Sequence, residues 1–217
     1  QQLYRQVDSL GTDLIIVSPG TGVLTVEDAG ALLDKKLAPA VGLVAPEVIM
    51  RGAVSSGDLE TAVTVLGTTP EYATIRSLTI RQGRFLRERD VQSSALVGIL
   101  GSVAKGSLSA KVVRRGQMMF VENRPFALVG ALDPVAGTAN SFLDNTVIVP
   151  ITTVQFLLAA GTSGGKDMPL SAINIQAVSP DSINGAVEQI GKVIKARHGS
   201  VDFYVETQET LAFKFRE

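Results

Sequence analysis

The two ends of the chain carry the same order of predicted elements, and the region between them does not. Residues 12–55 predict strand, helix and strand, and residues 171–205 repeat that order. Two such units at opposite ends favour one α+β body that contains both termini. The glycine-punctuated, strand-rich middle must then leave this body and return to it. We predict a discontinuous α+β subdomain of residues 1–67 and 165–217, with an inserted β-rich subdomain of residues 68–164.

The first strand–helix–strand segment, residues 12–55, opens with a short apolar run and a helix start signal. Asp13–Ser18 predicts a buried strand, because Pro-Gly follows it. Thr25 and Asp28 have the spacing of a capping box, in which two side chains satisfy free N–H groups at a helix start. We expect Pro39 to end this helix. Its predicted apolar face has four members: Ala29, Leu32, Leu33 and Leu37.

Turn and helix signals predict the other elements of the two strand–helix–strand segments. Val41–Val54 and Leu59–Leu66 flank a Ser-Ser-Gly-Asp turn, which indicates a hairpin. Ala172–Val178 predicts a strand, and Ser179–Asp181 starts a helix with a cap residue, a proline and an acid. Apolar residues then recur at helical spacing, and Val201–Val205 is predicted to return as a strand.

Composition excludes several classes of function. With 20 basic and 21 acidic residues the net charge is −1, so no basic face for nucleic acid is expected. The absence of cysteine excludes disulfides and thiolate metal sites. Hydrophobic residues make up 45% and charged ones 19% of the chain. This balance indicates either apolar surface for a partner or membrane-proximal neighbour, or simply a core rich in Ala and Val.

The sequence contains no apolar run as long as the roughly 18 residues that a membrane helix needs. Gln1–Leu10 lacks the apolar centre of a signal peptide but has a helical stripe at Leu3, Val7 and Leu10 without a cap. After Thr207, three apolar residues alternate: Leu211, Phe213 and Phe215. Their period leaves helix and strand equally open. We expect the chain to be a soluble domain excised from a longer protein.

No catalytic or metal-binding set stands out. His198 is the single histidine, and we interpret it as a surface residue at a helix end, where the dipole favours cations. Of three acid pairs, Glu27/Asp28 is better explained by a helix start and Asp58/Glu60 by a turn, and nothing in the sequence supports a catalytic role for these pairs or for Glu88/Asp90. Two groups of arginines are interpreted as solvated faces, with partner contact as the alternative: Arg81, Arg84, Arg87 and Arg89, and Arg114 and Arg115.

A glycine-rich stretch before the last unit resembles a phosphate-binding loop. It fails that pattern because Ala160 stands where the first Gly belongs, and Asp167 stands where Ser or Thr would hold magnesium. We therefore interpret Gly161–Gly165 as a hinge, with Gly161, Gly164 and Gly165 as the candidate hinge residues.

Several strings in order resemble the extracytoplasmic domain of MacB-type ABC transporter permeases. Leu10–Ile15 and Val17–Gly20 are similar to the opening of that domain, although Asn is commoner there than Asp13. Later matches follow in sequence: Val65–Tyr72, Gly83–Phe85 with Asp90–Val91, Phe126–Leu132, Val147–Pro150, Ala172–Asp181, and Arg197–Gly199 with Asp202–Phe203. Each string alone is weak, but the ordered set covers nearly the whole chain.

The resemblance implies a porter-like subdomain from both chain ends and an inserted sabre-like subdomain. It implies a segment between the first two transmembrane helices, on the extracytoplasmic face of the cytoplasmic membrane. It also implies a second permease copy as dimer partner, and in some members a periplasmic adaptor and an outer-membrane channel. ATP would be used by an associated nucleotide-binding domain, so this chain would need no cofactor. Its work would be mechanotransmission during extrusion of a drug, peptide or lipoprotein.

The predicted function is thus non-catalytic coupling, with Leu3, Val7, Leu10, Leu211, Phe213 and Phe215 as the residues next to the membrane. The alternative is an exported ligand-binding or adhesin-like module without a role in transport. The residues upstream of Gln1 separate the two, since an apolar span favours the permease and a cleavage site favours the module. An enzyme is the third reading, against which the missing catalytic set argues.

Overall fold

A computed structural model describes residues 13–107, 117–134, 141–154, 169–199 and 203–207, together with residue 210. In chain order the strands are β1 (Leu14–Pro19), β2 (Val41–Ser56), β3 (Leu59–Thr68), β4 (Ile80–Gly83), β5 (Val97–Leu100), β6 (Met118–Val121), β7 (Arg124–Leu132), β8 (Thr146–Pro150), β9 (Ala172–Ala177) and β10 (Phe203–Thr207). The α-helices are α1 (Val26–Leu32), α2 (Glu71–Ile75), α3 (Glu88–Gln92), α4 (Ser102–Ser107) and α5 (Ile183–His198). Two 3₁₀ turns occupy Ser141–Asn145 and Pro180–Ser182. The predicted mixed α+β class, dominated by sheet, is confirmed.

The chain divides into two compact units. The first comprises Gln1–Glu47, Thr74–Ser77 and Asp167–Glu217, and the second comprises Val48–Ala73 and Leu78–Lys166. Both chain ends thus fall in the first unit.

These bounds differ from the expected ones mainly at residues 48–67, which belong to the second unit. The reason is that this half of β2 pairs with β3, and β3 in turn pairs in parallel with β8. Residues 74–77 return to the first unit, which the sequence did not suggest. The porter-like and sabre-like arrangement stays a prediction.

The first unit is built on an antiparallel sheet in the order β10-β1-β9-β2, to which β2 contributes residues 41–47. The strand–helix–strand order occurs at both ends, as β1-α1-β2 and as β9-α5-β10. The second of these contains the predicted apolar stripe, since α5 buries Ala186, Ile190, Val193 and Ile194. Gly199 ends the helix with a φ of 70°, as expected for a glycine at that position.

Helix α1 is shorter than predicted. Thr25 and Asp28 do form the capping box, but the helix ends at Leu32 instead of continuing toward Pro39. Leu33 and Leu37 are therefore 50% and 54% exposed, and their assignment to the apolar face was wrong. Only Ala29 and Leu32 of that predicted face are buried, because the residues after Leu32 no longer follow the helical period.

The second unit is a sheet that closes on itself. Pairing runs β2-β3-β8-β5-β7, and β6 joins β7 back to β2 through Val54↔Val121 and Ser55↔Phe120. Ring closure leaves few unpaired strand edges, which matters for a strand-rich unit because open edges promote aggregation. Strand β4 pairs antiparallel with the C-terminal end of β7, from Ile80↔Leu132 to Gly83↔Gly130.

Two tight turns set the register of this ring. The predicted β2–β3 hairpin is confirmed, with Gly57 at a φ of 62° in its two-residue turn. Glu122 and Asn123 connect β6 to β7 with φ values of 49° and 61°, the pattern of a type I′ hairpin turn. The interior is packed with large side chains, among them Leu66, Ile99, Met119, Phe126 and Leu132.

Candidate functional site

The described residues contain no metal-binding group and no membrane helix. No three His, Asp or Glu side chains within them are placed to hold a metal ion. No helix in the described ranges is long and apolar enough to cross a membrane. The candidate site must therefore be sought in how the strands are joined and in which polar groups are buried.

The first candidate element is the pairing of the two terminal strands. β1 and β10 are antiparallel neighbours over five residue pairs, from Ile15↔Thr207 to Pro19↔Phe203. β1 also pairs with β9, and β9 pairs with the first half of β2. The first and the last of the described strands are therefore neighbours at one edge of a hydrogen-bonded sheet, with Ile15 opposite Thr207.

A second element joins the start of α1 to the end of α5. The carboxylate of Asp28, which is fully buried, accepts from the backbone N–H of Thr25 at 2.8 Å and from its hydroxyl at 2.9 Å. Arg197 Nε donates to the same carboxylate, and His198 Nε2 lies 2.8 Å from it. Asp28 is thus both the N3 partner of the cap residue Thr25 in one helix and the anchor for the last turn of another.

These contacts determine the charge state of Asp28. Burial alone would raise the pKa of the Asp28 carboxyl, but the hydrogen bonds from Arg197, His198 and Thr25 outweigh it, and the pKa is lowered. The carboxylate therefore stays ionised at neutral pH and holds the two helix ends together.

The interpretation of His198 as a simple surface residue was wrong. Its side chain is only 21% exposed, it contacts Asp28, and its ring centroid lies 5.0 Å from that of Phe203 at the start of β10. The helix-end position was right, because His198 is the last residue of α5. The partner could not be anticipated, since 170 positions separate the two residues.

A third element is a buried polar network on the central strand β9. Arg76 Nε donates to Asn174 Oδ1 at 3.0 Å, and Asn174 Nδ2 donates to Glu47 Oε2 at 2.8 Å. The three residues are 7%, 0% and 4% exposed, respectively. All three belong to the first unit. The sequence analysis missed this network, and only the buried Asn inside the apolar strand Ala172–Ala177 could have signalled it.

In the second unit, Arg84 and Asp90 form a forked ion pair. Arg84 Nη2 donates to Asp90 Oδ1 at 3.1 Å, and Nη1 donates to Oδ2. Burial alone would raise the pKa of Asp90, but the bonds from Arg84 and from the backbone N–H of Arg87 lower it. The solvated-face interpretation was therefore wrong for Arg84, whereas Arg81, Arg87 and Arg89 are exposed, as is Glu88. Of the other acids in the predicted pairs, Asp58, Glu60 and Glu27 are exposed.

The predicted coupling and hinge residues lie outside the described part of the chain. This holds for Leu3, Val7, Leu10, Leu211, Phe213 and Phe215, and for Gly161, Gly164 and Gly165, as it does for Arg114 and Arg115. Their roles stay predictions.

An exposed apolar strip lies on the outer face of the ring in the second unit. Met118 and Phe120 on β6 are 47% and 43% exposed, and their cross-strand partners on β7 are Ala127 and Pro125. Alternate residues of β6, Met119 and Val121, point into the core. Nothing in the described residues covers this strip.

Comparison with known proteins places the fold and the sequence in one group. A model of the family described as "MacB-like periplasmic core domain" matches residues 1–193. The macrolide export ATP-binding/permease protein MacB of Rhodospirillum rubrum is 30% identical over 220 residues, which cover 97% of this chain and 33% of that protein. The corresponding protein of Mannheimia succiniciproducens is 26% identical, with the same coverage of each. The chain thus spans about a third of the length of the curated relatives it matches.

Solved structures that share the fold include two extracytoplasmic transporter domains. The periplasmic region of MacB from Actinobacillus actinomycetemcomitans aligns with a TM-score of 0.79 and 21% identity, covering 100% of this chain and 99% of that one. The extracellular domain of the noncanonic ABC-type transporter YknZ from Gram-positive bacteria aligns with a TM-score of 0.70 and 18% identity, covering 90% and 100%. At this identity the likeness shows the fold alone.

Proposed function

The chain belongs to the family of MacB-like periplasmic core domains, and from this premise we propose that it is the coupling domain of an ABC transporter permease. It has no catalytic role of its own. It passes motion that is driven by ATP hydrolysis in an associated nucleotide-binding domain to the extracytoplasmic side, where a drug, peptide or lipoprotein is extruded. A second permease copy, and a periplasmic adaptor with an outer-membrane channel, are its proposed partners.

The observation that carries this proposal is the pairing of β1 with β10. Segments that precede β1 and follow β10 would pull on adjacent strands of one sheet, because Ile15 lies opposite Thr207. Five register pairs connect these strands, so a displacement at one terminal strand is opposed by several hydrogen bonds at once.

The packing of the first unit suits this task. β9, which pairs with β1, is buried at five of its six positions, and α1 and α5 are tied at Asp28. Dense interiors have low compressibility and therefore transmit displacement instead of absorbing it. The porter-like and sabre-like division, and the hinge at Gly161–Gly165, are part of the same proposal.

The test uses spin labels in the full-length transporter, which is convenient because this chain has no native cysteine. One label pair, Asn184→Cys with Asp58→Cys, joins an exposed site in each unit. A matched control pair, Asn184→Cys with Lys36→Cys, stays within the first unit. The distance between the two spin labels is measured by double electron–electron resonance on the transporter in lipid, with ATP, with ADP and without nucleotide.

We expect the pair across the units to change its distance distribution between nucleotide states, while the control pair stays constant. Identical distributions for the first pair in all three states would refute coupling by motion. If the distances stay unchanged and the isolated chain binds cargo, the result would instead support the alternative function, an exported ligand-binding module.

A further inference from the structure

The chain crosses from one unit to the other at four points, here called passages. Three of them lie within a few residues, along the sequence, of Glu47 or Arg76, which belong to one buried polar network. The chain passes from one unit to the other after Glu47, after Ala73, after Ser77 and after Lys166. Glu47 is the last residue before the first passage, and Arg76 lies in the four-residue segment between the second and the third. Glu47 and Arg76 are both linked to Asn174 on the strand β9. One network therefore reaches three of the four passages.

The direction of every hydrogen bond in this network is determined by chemistry. The guanidinium of Arg76 can only donate, and the carboxylate of Glu47, when ionised, can only accept. The amide of Asn174 is the group between them, with its oxygen toward Arg76 and its nitrogen toward Glu47. Asn is therefore suited to this position, since Asp would lack the donor and Leu would lack both groups.

Asn174 is held at the centre of the first unit. Its register partners are Ile16 on β1 and Ala45 on β2, so it lies in the middle of the four-stranded sheet. Glu47 lies two positions after Ala45, and its side chain therefore projects from the same face of the sheet. Buried charged groups seldom add net stability over apolar ones, which favours a positional role for such a network.

The backbone beside Arg76 supports the same role. Ser77 has a φ of 51°, a left-handed conformation that non-glycine residues adopt only at a cost. Its N–H donates to the carbonyl of Thr74 at 3.1 Å, which closes a tight turn over this segment. A turn of this kind persists when neighbouring contacts hold it, and Arg76 supplies one next to it.

We propose that Glu47, Asn174 and Arg76 form a clamp that fixes three chain passages to the sheet of the first unit. The three are positioning residues, and this inference rests on the proposed coupling function. When β1 moves β9, the backbone at these three passages then moves with β9. Without the clamp, the segment 74–77 moves independently of β9 and part of the displacement is lost.

The test compares Arg76→Met with Arg84→Met, a control that removes an arginine from its part-buried pair with Asp90 in the second unit. Hydrogen exchange is measured on the 217-residue chain at two amides of the first unit. The Ser77 N–H bonds to Thr74, and the Ser171 N–H bonds to the Glu47 carbonyl at 2.7 Å. We expect Arg76→Met to speed exchange at both amides at least about tenfold, and Arg84→Met to leave them unchanged.

The second readout is the amount extruded per ATP hydrolysed by the full-length transporter. Arg76→Met should lower this ratio at least about fivefold, and Arg76→Lys, which keeps the charge and a donor, should restore part of it. Equal exchange in the Arg76→Met and Arg84→Met chains, or an unchanged extrusion ratio, would overturn the clamp.

If the unsubstituted transporter shows no nucleotide-dependent distance change, the proposed function fails, while the exchange data still decide whether the clamp exists. If Arg76→Met does not fold, Arg76→Lys serves as the test variant, and exchange at both amides should then be faster than in the Arg84→Met chain, by less than about tenfold; exchange equal to that of Arg84→Met would overturn the clamp.

Discussion

Replacing Asp28 by Asn should destabilise the first unit strongly and in a pH-dependent way. The substitution keeps the size of the side chain but removes its charge and turns one acceptor oxygen into a donor. That donor would face groups that themselves donate, the N–H and hydroxyl of Thr25 or Nε of Arg197. The one oxygen that Asn keeps cannot serve both sides, so either the side-chain half of the capping box or the link between α1 and α5 is lost, while the Asp28 N–H bond to the Thr25 hydroxyl remains.

The size of the effect follows from the contacts. Losing a helix cap costs about 0.5–2 kcal/mol, and a hydrogen bond to a charged group contributes about 1.5–3 kcal/mol. The bond to Arg197 counts for less, because that side chain is 39% exposed and screened by solvent. We expect a loss of about 3 kcal/mol in the free energy of unfolding, against a typical total of about 5–15 kcal/mol.

The dependence on pH has a definite sign. Because the pKa of Asp28 is lower in the folded chain than its unfolded value of about 3.9, ionised Asp28 stabilises the fold above that pH. This contribution is lost as the pH falls through the folded pKa. The difference between the unsubstituted chain and Asp28→Asn should be constant near neutral pH and should shrink below about pH 4.

Urea unfolding at several pH values, followed by circular dichroism, measures both quantities. A loss of about 3 kcal/mol corresponds to a midpoint lower by roughly 1 M or more. The control is Asp34→Asn, because Asp34 is exposed and only accepts from the N–H of Lys36 at 2.9 Å. It should stay within about 0.5 kcal/mol of the unsubstituted chain. If Asp28→Asn behaved like this control, the assignment of Asp28 as the anchor of both helices would be refuted.

Three further substitutions test other parts of the structure by urea unfolding. Gly83→Ala should cost more than about 2 kcal/mol, because φ is 75° and a Cβ would lie 2.1 Å from the Val129 carbonyl oxygen; a smaller loss would mean that β4 can shift. Asp90→Asn should cost about 2 kcal/mol at neutral pH and less below about pH 4, since the pKa of Asp90 is lowered by Arg84; a loss independent of pH would contradict this. Ser77→Gly should be neutral or stabilise by up to about 1 kcal/mol, because glycine adopts a φ of 51° freely; a clear loss would show that the Ser77 side chain contributes contacts.

The signals that predicted structure correctly were local ones. The capping box of Thr25 and Asp28 and the Gly57 turn were predicted correctly, whereas Ser179–Asp181 leads into a 3₁₀ turn from Pro180 and the last α-helix begins only at Ile183. Each depends on residues within a few positions of one another, where backbone hydrogen bonding and allowed φ values decide the outcome.

Errors arose where distant residues decide burial. Leu33 and Leu37 continue an apolar pattern in the sequence but are half exposed, because the helix stops before them. Arg84 and Asp90 look like members of a charged surface group, yet Asp90 is buried and paired with Arg84. Distant pairing also decides the unit to which residues 48–67 belong, since β3 pairs with β8 about eighty positions later in the chain.

The order of residues was sufficient for the α+β class, for the strand–helix–strand units at both ends and for the resemblance to one transporter family, because these depend on local periodicity and short strings. Tertiary structure alone decided that Asp28 meets His198, that Arg76 and Glu47 share Asn174, and that six strands of the second unit close into a ring. The physical reason is that a buried charge or an unpaired strand edge must find a partner, and the chain can supply it from any distance once the fold has brought the two together.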